Sequence, residues 1–122
     1  MSETKYKLEE RTLAFSVRVV KHCARLKQPT IRSIVDQLIR SATSIGANYA
    51  EANNAASKTD FRNKIFIAKK EAAETKYWLA LLAALGDKDT ELEELQREAQ
   101  WILMTLQKII STMRAKTENG KL

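Results

Sequence analysis

Two glutamates and an arginine are the residues in this sequence best placed to do chemistry together. Glu71 and Glu74 fall within a helical arc that also holds Ile67, Trp78, Leu81 and Leu85, so both carboxylates are directed toward a core. An acid there needs a partner, because an unpaired buried charge costs on the order of several kcal/mol or takes up a proton. Arg40 is the candidate partner, and the expected outcome is an ion-pair network that fixes helix register. Acid–base catalysis by the same carboxylates would instead need a water-accessible cleft at Glu71 or Glu74. Arg40 itself lies on a polar stripe with Ser33, Gln37, Ser44, Asn48 and Glu51, beside Ser41 and Ala47. The small members allow close helix approach, and Arg40, Asn48 and Glu51 are expected to form a hydrogen-bonded seam.

Other chemistries find no set of residues to carry them. The one histidine, His22, adjoins the one cysteine, Cys23, roughly 100° away around a helix, which is not the spacing of a metal chelate. Di-metal carboxylate bundles use Glu-x-x-His on two helices, and here Val19 stands three residues before His22. The sequence has no HExxH, CxxC or GxxxxGK[ST] pattern and no plausible Ser/His/Asp set. Neither enzymatic activity nor a cofactor is expected. A single cysteine also leaves no internal disulfide.

The cations are patterned. Lys7, Arg11, Arg18, Lys21 and Arg25 cluster within about 80° on one helical stretch, opposite its apolar arc, and Lys58, Arg62, Lys69 and Lys76 make a similar stripe further on. Residues 1–28 hold seven basic and three acidic groups and residues 57–86 hold six and three, so the excess positive charge behind the net +6 lies in these two segments. Such stripes suit phosphate contacts that are salt-sensitive and weak in sequence preference. A solvated surface is the ordinary alternative.

Four helices must position these groups. Only three glycines and one proline interrupt a chain of 122 residues rich in Ala, Leu, Glu, Lys and Gln, so long helices are the default and one domain, 1–122, is expected. The first helix is expected over about 6–26, stopping before Gln28-Pro29. Thr30 would cap a second over 31–56. Ser57, with Asp60 three residues on, would cap a third over 58–85 that ends at Gly86 as a left-handed C-cap. Asp89 or Thr90 would cap the fourth, over 91–116, leaving a frayed tail. Short connections imply antiparallel neighbours, hence an all-α, up-down-up-down four-helix bundle with the first and third helices on a diagonal. The first helix has an unusually wide apolar arc, with Leu8, Phe15, Val19 and Leu26 on one flank and Leu13, Val17, Val20 and Ala24 on the other. Either a well-buried helix or a subunit interface accounts for it. Phe66, Tyr77, Trp78 and Trp101 overfill a single four-helix core, which strengthens the oligomer reading. Residues 1–7 lack the apolar core of a signal peptide and no apolar run approaches roughly 20 residues, so a cytoplasmic protein without membrane contact is expected.

Residues 37–52 read Gln-Leu-Ile-Arg-Ser-Ala-Thr-Ser-Ile-Gly-Ala-Asn-Tyr-Ala-Glu-Ala, residues 57–61 Ser-Lys-Thr-Asp-Phe, and residues 67–75 Ile-Ala-Lys-Lys-Glu-Ala-Ala-Glu-Thr. The pattern QLxRSxxSIxxNxxEA, then SxxDF, then IAxxExxE resembles the bacterial four-helix-bundle proteins found in intervening sequences of large-subunit ribosomal RNA genes. The resemblance spans nearly the whole chain. It implies a bundle assembled as a ring-like homopentamer. It also implies a relation to the accessory variability protein of diversity-generating retroelements, a basic pentamer that binds a reverse transcriptase and its template RNA. Arg40, Ser44, Asn48, Glu51 and Glu74 match the family motif, which leaves RNA contact to basic residues outside it. Ala52 stands where many members have Gly, so the end of the second helix is expected to differ slightly. The leading functional expectation is a non-enzymatic homo-oligomer that binds structured RNA or an RNA–protein complex through its basic faces. The alternative is a protein–protein scaffold with those faces merely solvated.

Overall fold

The structure, a computed structural model, describes residues 2–120 and the side chains of residues 7–116. It is all-helical: α1 (Ser2–Cys23), a 3-10 turn (Pro29–Ile31), α2 (Arg32–Asn53), α3 (Lys58–Ala84) and α4 (Thr90–Gly120), with no strand among the described residues. Among these residues no helix is long and apolar enough to cross a membrane.

The breakers act as their chemistry dictates. Gln28 before Pro29 is extended, at φ −70° and ψ 124°. Ser57 Oγ accepts the Asp60 backbone N–H at 3.0 Å. Gly86 adopts φ 107°, the left-handed region open to glycine, just past α3. Asp89 Oδ1 accepts the Glu91 N–H at 2.9 Å at the start of α4.

Several helix ends differ from the expected ones. α1 stops at Cys23 rather than Leu26, and the chain then turns through Ala24 and Arg25. Thr30 does not cap α2, because Pro29 draws residues 29–31 into the 3-10 turn and Ile31 becomes the N-cap without a side-chain bond. α2 ends at Asn53 instead of Ala56, and α4 extends to Gly120 instead of 116. Lys121 and Leu122 of the expected frayed tail lie outside the described residues.

Neighbouring helices pack in chain order, α1 on α2, α2 on α3, α3 on α4 and α4 back on α1, while among the described residues no Cα atoms of the diagonal pairs come within 8 Å. Contacts run in opposite senses along three neighbouring pairs, which fixes the fourth: Arg11 meets Glu98 but Arg18 meets Glu91, Arg40 meets Glu74 but Lys64 meets Glu51, and Glu9 meets Asn53 but Ser16 meets Ala42. The helices are therefore antiparallel. The core comprises Phe15, Val19, Leu38, Ile45, Ile65, Leu79, Leu95, Ile102 and Leu106, all essentially inaccessible. Each buried Leu, Ile or Phe contributes about 1.5–3 kcal/mol. Ala42, Ala68, Ala72 and Ala99 fill the layers between these large groups. The α1–α4 seam is the sparsest of the four.

Gly46 sets the α1–α2 distance. A Cβ there would lie 3.1 Å from Thr12 Oγ1, a hydroxyl held 2.9 Å from the Leu8 carbonyl. Gly46→Ala is expected to be near neutral in urea unfolding, since about 1 kcal/mol of helix propensity offsets the crowding. Gly46→Val should lose about 1–3 kcal/mol by overpacking. Equal stability of the two variants would refute this account.

Candidate functional site

Between α2 and α3 the expected ion-pair network is present. Arg40 Nη1 donates to Glu71 Oε1 at 3.2 Å and Oε2 at 3.3 Å, and its Nη2 donates to Glu74 Oε2. Arg40 Nε donates to Gln37 Oε1 at 3.0 Å, and Trp78 Nε1 donates to Glu74 Oε2 at 2.9 Å. Beneath this clamp Thr75 Oγ1 lies 2.9 Å from Ser41 Oγ and 2.8 Å from the Glu71 carbonyl, with both hydroxyl residues fully buried. The rest of the expected seam separates into local units. Asn48 Nδ2 bonds the Ser44 carbonyl and hydroxyl, each at 2.9 Å, and Glu51 takes Lys64 Nζ at 2.8 Å. Arg40 and Glu51, eleven residues apart, are roughly 16 Å apart along the helix axis, too far to share partners.

The Glu74 carboxyl is held below the ordinary carboxylate range, first by the Trp78 indole N–H and then by Arg40. Glu91 is lowered likewise by its hydrogen bonds from Arg18. A group more acidic folded than unfolded contributes stability that is complete above its unfolded pKa and lost as pH falls through the folded value. The thermal midpoint is therefore expected to drop on acidification below the ordinary value of 4.5 for both groups. The double variant Arg18→Gln/Arg40→Gln should flatten that fall; an unchanged profile would refute the assignment.

The basic stripe on α1 lines a seam. Arg11 Nε and Nη2 donate to Glu98 at 2.6 and 2.9 Å, and its guanidinium carbon sits 3.5 Å over the Trp101 ring. Arg18 donates to both oxygens of Glu91 at 3.2 Å and to Glu94 at 3.0 Å. Arg25 lies 3.8 Å from Asp89. Arg11 and Arg18 lie on the side of α1 facing the acidic first half of α4, rather than projecting from its far side. Lys7 and Lys21 are exposed. The α3 stripe is different. Lys58 and Arg62 are exposed, Lys69 and Lys76 are half-buried, and among the described residues no carboxylate lies within 4.0 Å of any of the four. The two stripes remain on diagonal helices.

His22 and Cys23 are buried at the end of α1. His22 Nε2 lies 2.7 Å from Asp87 Oδ2, while Nδ1 lies 3.9 Å from Asp89 and has no hydrogen-bond partner among the described residues. Burial, reinforced by Asp87, pushes the Cys23 thiol up to about 11, so it stays protonated and weakly nucleophilic at neutral pH. Sequence reasoning missed the His22–Asp87 pair, because nothing local marks a contact spanning 65 positions.

The four-helix fold agrees with comparisons to known proteins. The model of the 23S rRNA-intervening sequence protein family matches residues 4–108. The chain belongs to this family. A crystal structure of a Bacteroides thetaiotaomicron protein, described as having unknown function and coming from the S23 ribosomal protein family, superposes with a TM-score of 0.78. It is 35% identical, and the match covers 88% of this chain and 97% of that one. No curated protein matches the chain.

In this member of the 23S rRNA-intervening sequence family, two large apolar faces are left uncovered. On α1, Leu13, Val17 and Val20 are 65%, 44% and 42% exposed, and Ala24 continues the stripe. On the outer side of α3, Phe66 and Tyr77 are exposed together with Ala73, Ala80 and Ala84. Trp78, by contrast, is half-buried against the core.

Proposed function

We propose that this member of the family is a non-enzymatic homo-oligomer that binds structured RNA, or an RNA–protein complex, through the basic face of α3. The observation that carries the RNA reading is the set Lys58, Arg62, Lys69 and Lys76, which has no carboxylate partner among the described residues while the arginines of α1 are neutralised by α4. The clamp of Arg40 and Trp78 on Glu71 and Glu74 supports a structural role for those acids.

Assembly is supported by the uncovered apolar faces. They lie on diagonal helices, so the α1 face of one copy can meet the α3 face of the next, a head-to-tail contact that forms a ring when its rotation closes. The number five rests on the family resemblance. So does the relation to retroelement accessory proteins, in which the protein component of the complex would be a reverse transcriptase.

Binding measured against salt tests the RNA reading. Affinity should fall steeply as salt rises, and changing Lys58, Arg62, Lys69 and Lys76 to glutamine should lower the log–log slope by about 0.7–0.9 for each phosphate no longer neutralised. The Arg18→Gln variant should leave the slope nearly unchanged. No RNA binding at low salt would overturn the reading, and a protein partner retained after nuclease treatment would favour a scaffold.

A further inference from the structure

We infer that the outer face shared by α1 and α4 carries a stacking site for unpaired nucleobases, with Trp101 as its platform and single-stranded RNA segments as its partner. The inference rests on the RNA reading above and adds the residues and the form of RNA they take. Trp101 is a large side chain left 41% exposed on a face outside both uncovered subunit faces. Its ring is held in place: Arg11 stacks on it at 3.5 Å, and two hydrogen bonds to Glu98 keep the guanidinium in position. Met104, three residues further along α4, is 60% exposed and widens the apolar surface.

Cations bracket this platform. Arg97 precedes Trp101 by four residues and Lys108 follows it by seven, which places all three on one side of α4. Both cations are exposed, and among the described residues neither has a carboxylate within 4.0 Å. Along the axis they lie roughly 6 Å before and roughly 10 Å after the indole, within reach of the phosphates on either side of a stacked base. An aromatic ring between unpaired cations is the arrangement that accepts bases without reading their edges, because every base presents a π-face. The Arg11 guanidinium extends the stacking surface. A duplex keeps its bases stacked on one another and offers this site only phosphates.

The test is equilibrium binding of the full chain to a 12-nucleotide unstructured RNA and to an RNA duplex of equal length. Trp101→Ala should weaken the single strand roughly 5- to 150-fold while changing duplex affinity less than twofold. Trp101→Phe should retain most of the single-strand affinity but lose the quenching of tryptophan emission that a base stacked on Trp101 produces. Unchanged single-strand affinity in Trp101→Ala, or an equal loss on both RNAs, would overturn the platform and leave the RNA reading standing. A fall in oligomer mass for Trp101→Ala would overturn it by assigning the face to a subunit contact. Wild-type protein that binds neither RNA at low salt would overturn both.

Discussion

Replacing Leu13 and Val17 together by glutamate is expected to turn the proposed homo-oligomer into monomers of 13.9 kDa with the helical content intact. In the single chain both positions face water, at 65% and 44% exposure, and glutamate is a better helix former than valine. Folding of the monomer therefore loses nothing. In the assembly the same positions would lie against the next copy. Each apolar side chain removed from that contact forfeits about 1.5–3 kcal/mol, and a carboxylate desolvated there without a partner adds a penalty of comparable size. The two side chains alone forfeit roughly 3–6 kcal/mol, which weakens association by about 10²- to 10⁴-fold before the carboxylate penalty is added. Light scattering reads the mass and circular dichroism the fold. A monomeric wild type, or a double variant that keeps its oligomeric mass, would remove the case for assembly through α1.

Arg40→Met is expected to be the most costly single change outside the apolar core. It leaves Glu71, 8% exposed, without its cation, and takes one of two anchors from Glu74. Breaking a buried pair by removing one partner costs about 3–5 kcal/mol. The Arg40 side chain is 46% exposed, so water recovers part of that and about 2–3 kcal/mol is expected. The reverse change is cheaper. In Glu71→Gln, Arg40 keeps Glu74 and solvent, and the loss should stay near 1 kcal/mol. Adding Glu71→Gln to Arg40→Met should restore much of the stability, because no buried charge is then left unpaired. Urea midpoints for the four proteins of this cycle measure the coupling. Arg40→Met within about 0.5 kcal/mol of wild type would refute the clamp.

Much of the bundle is legible in the amino-acid order. Scarce breakers and apolar residues recurring at helical spacing mark the four helices, and Ser57 and Gly86 bound α3 by capping chemistry that acts within a few residues. Arg40 is readable as the partner of Glu71 and Glu74 because a carboxylate in an apolar arc demands a cation. Helix ends without such chemistry are not legible. α1 stops at Cys23 where the composition would let it continue, beside a His22–Asp87 contact that only the folded chain brings together.

By itself, the amino-acid order determined which side chains share a face of their own helix, and hence the class of fold and the pairing of its internal acids. Tertiary structure alone decided what each face meets. Periodicity fixes a side chain's direction about its own axis but not which helix lies there, nor at what height. That is why two basic stripes of similar composition end differently, one with Arg11 and Arg18 neutralised by Glu91, Glu94 and Glu98, the other without carboxylate partners among the described residues. It is also why of two apolar flanks on α1 one became core, while Leu13, Val17 and Val20 were left facing outward.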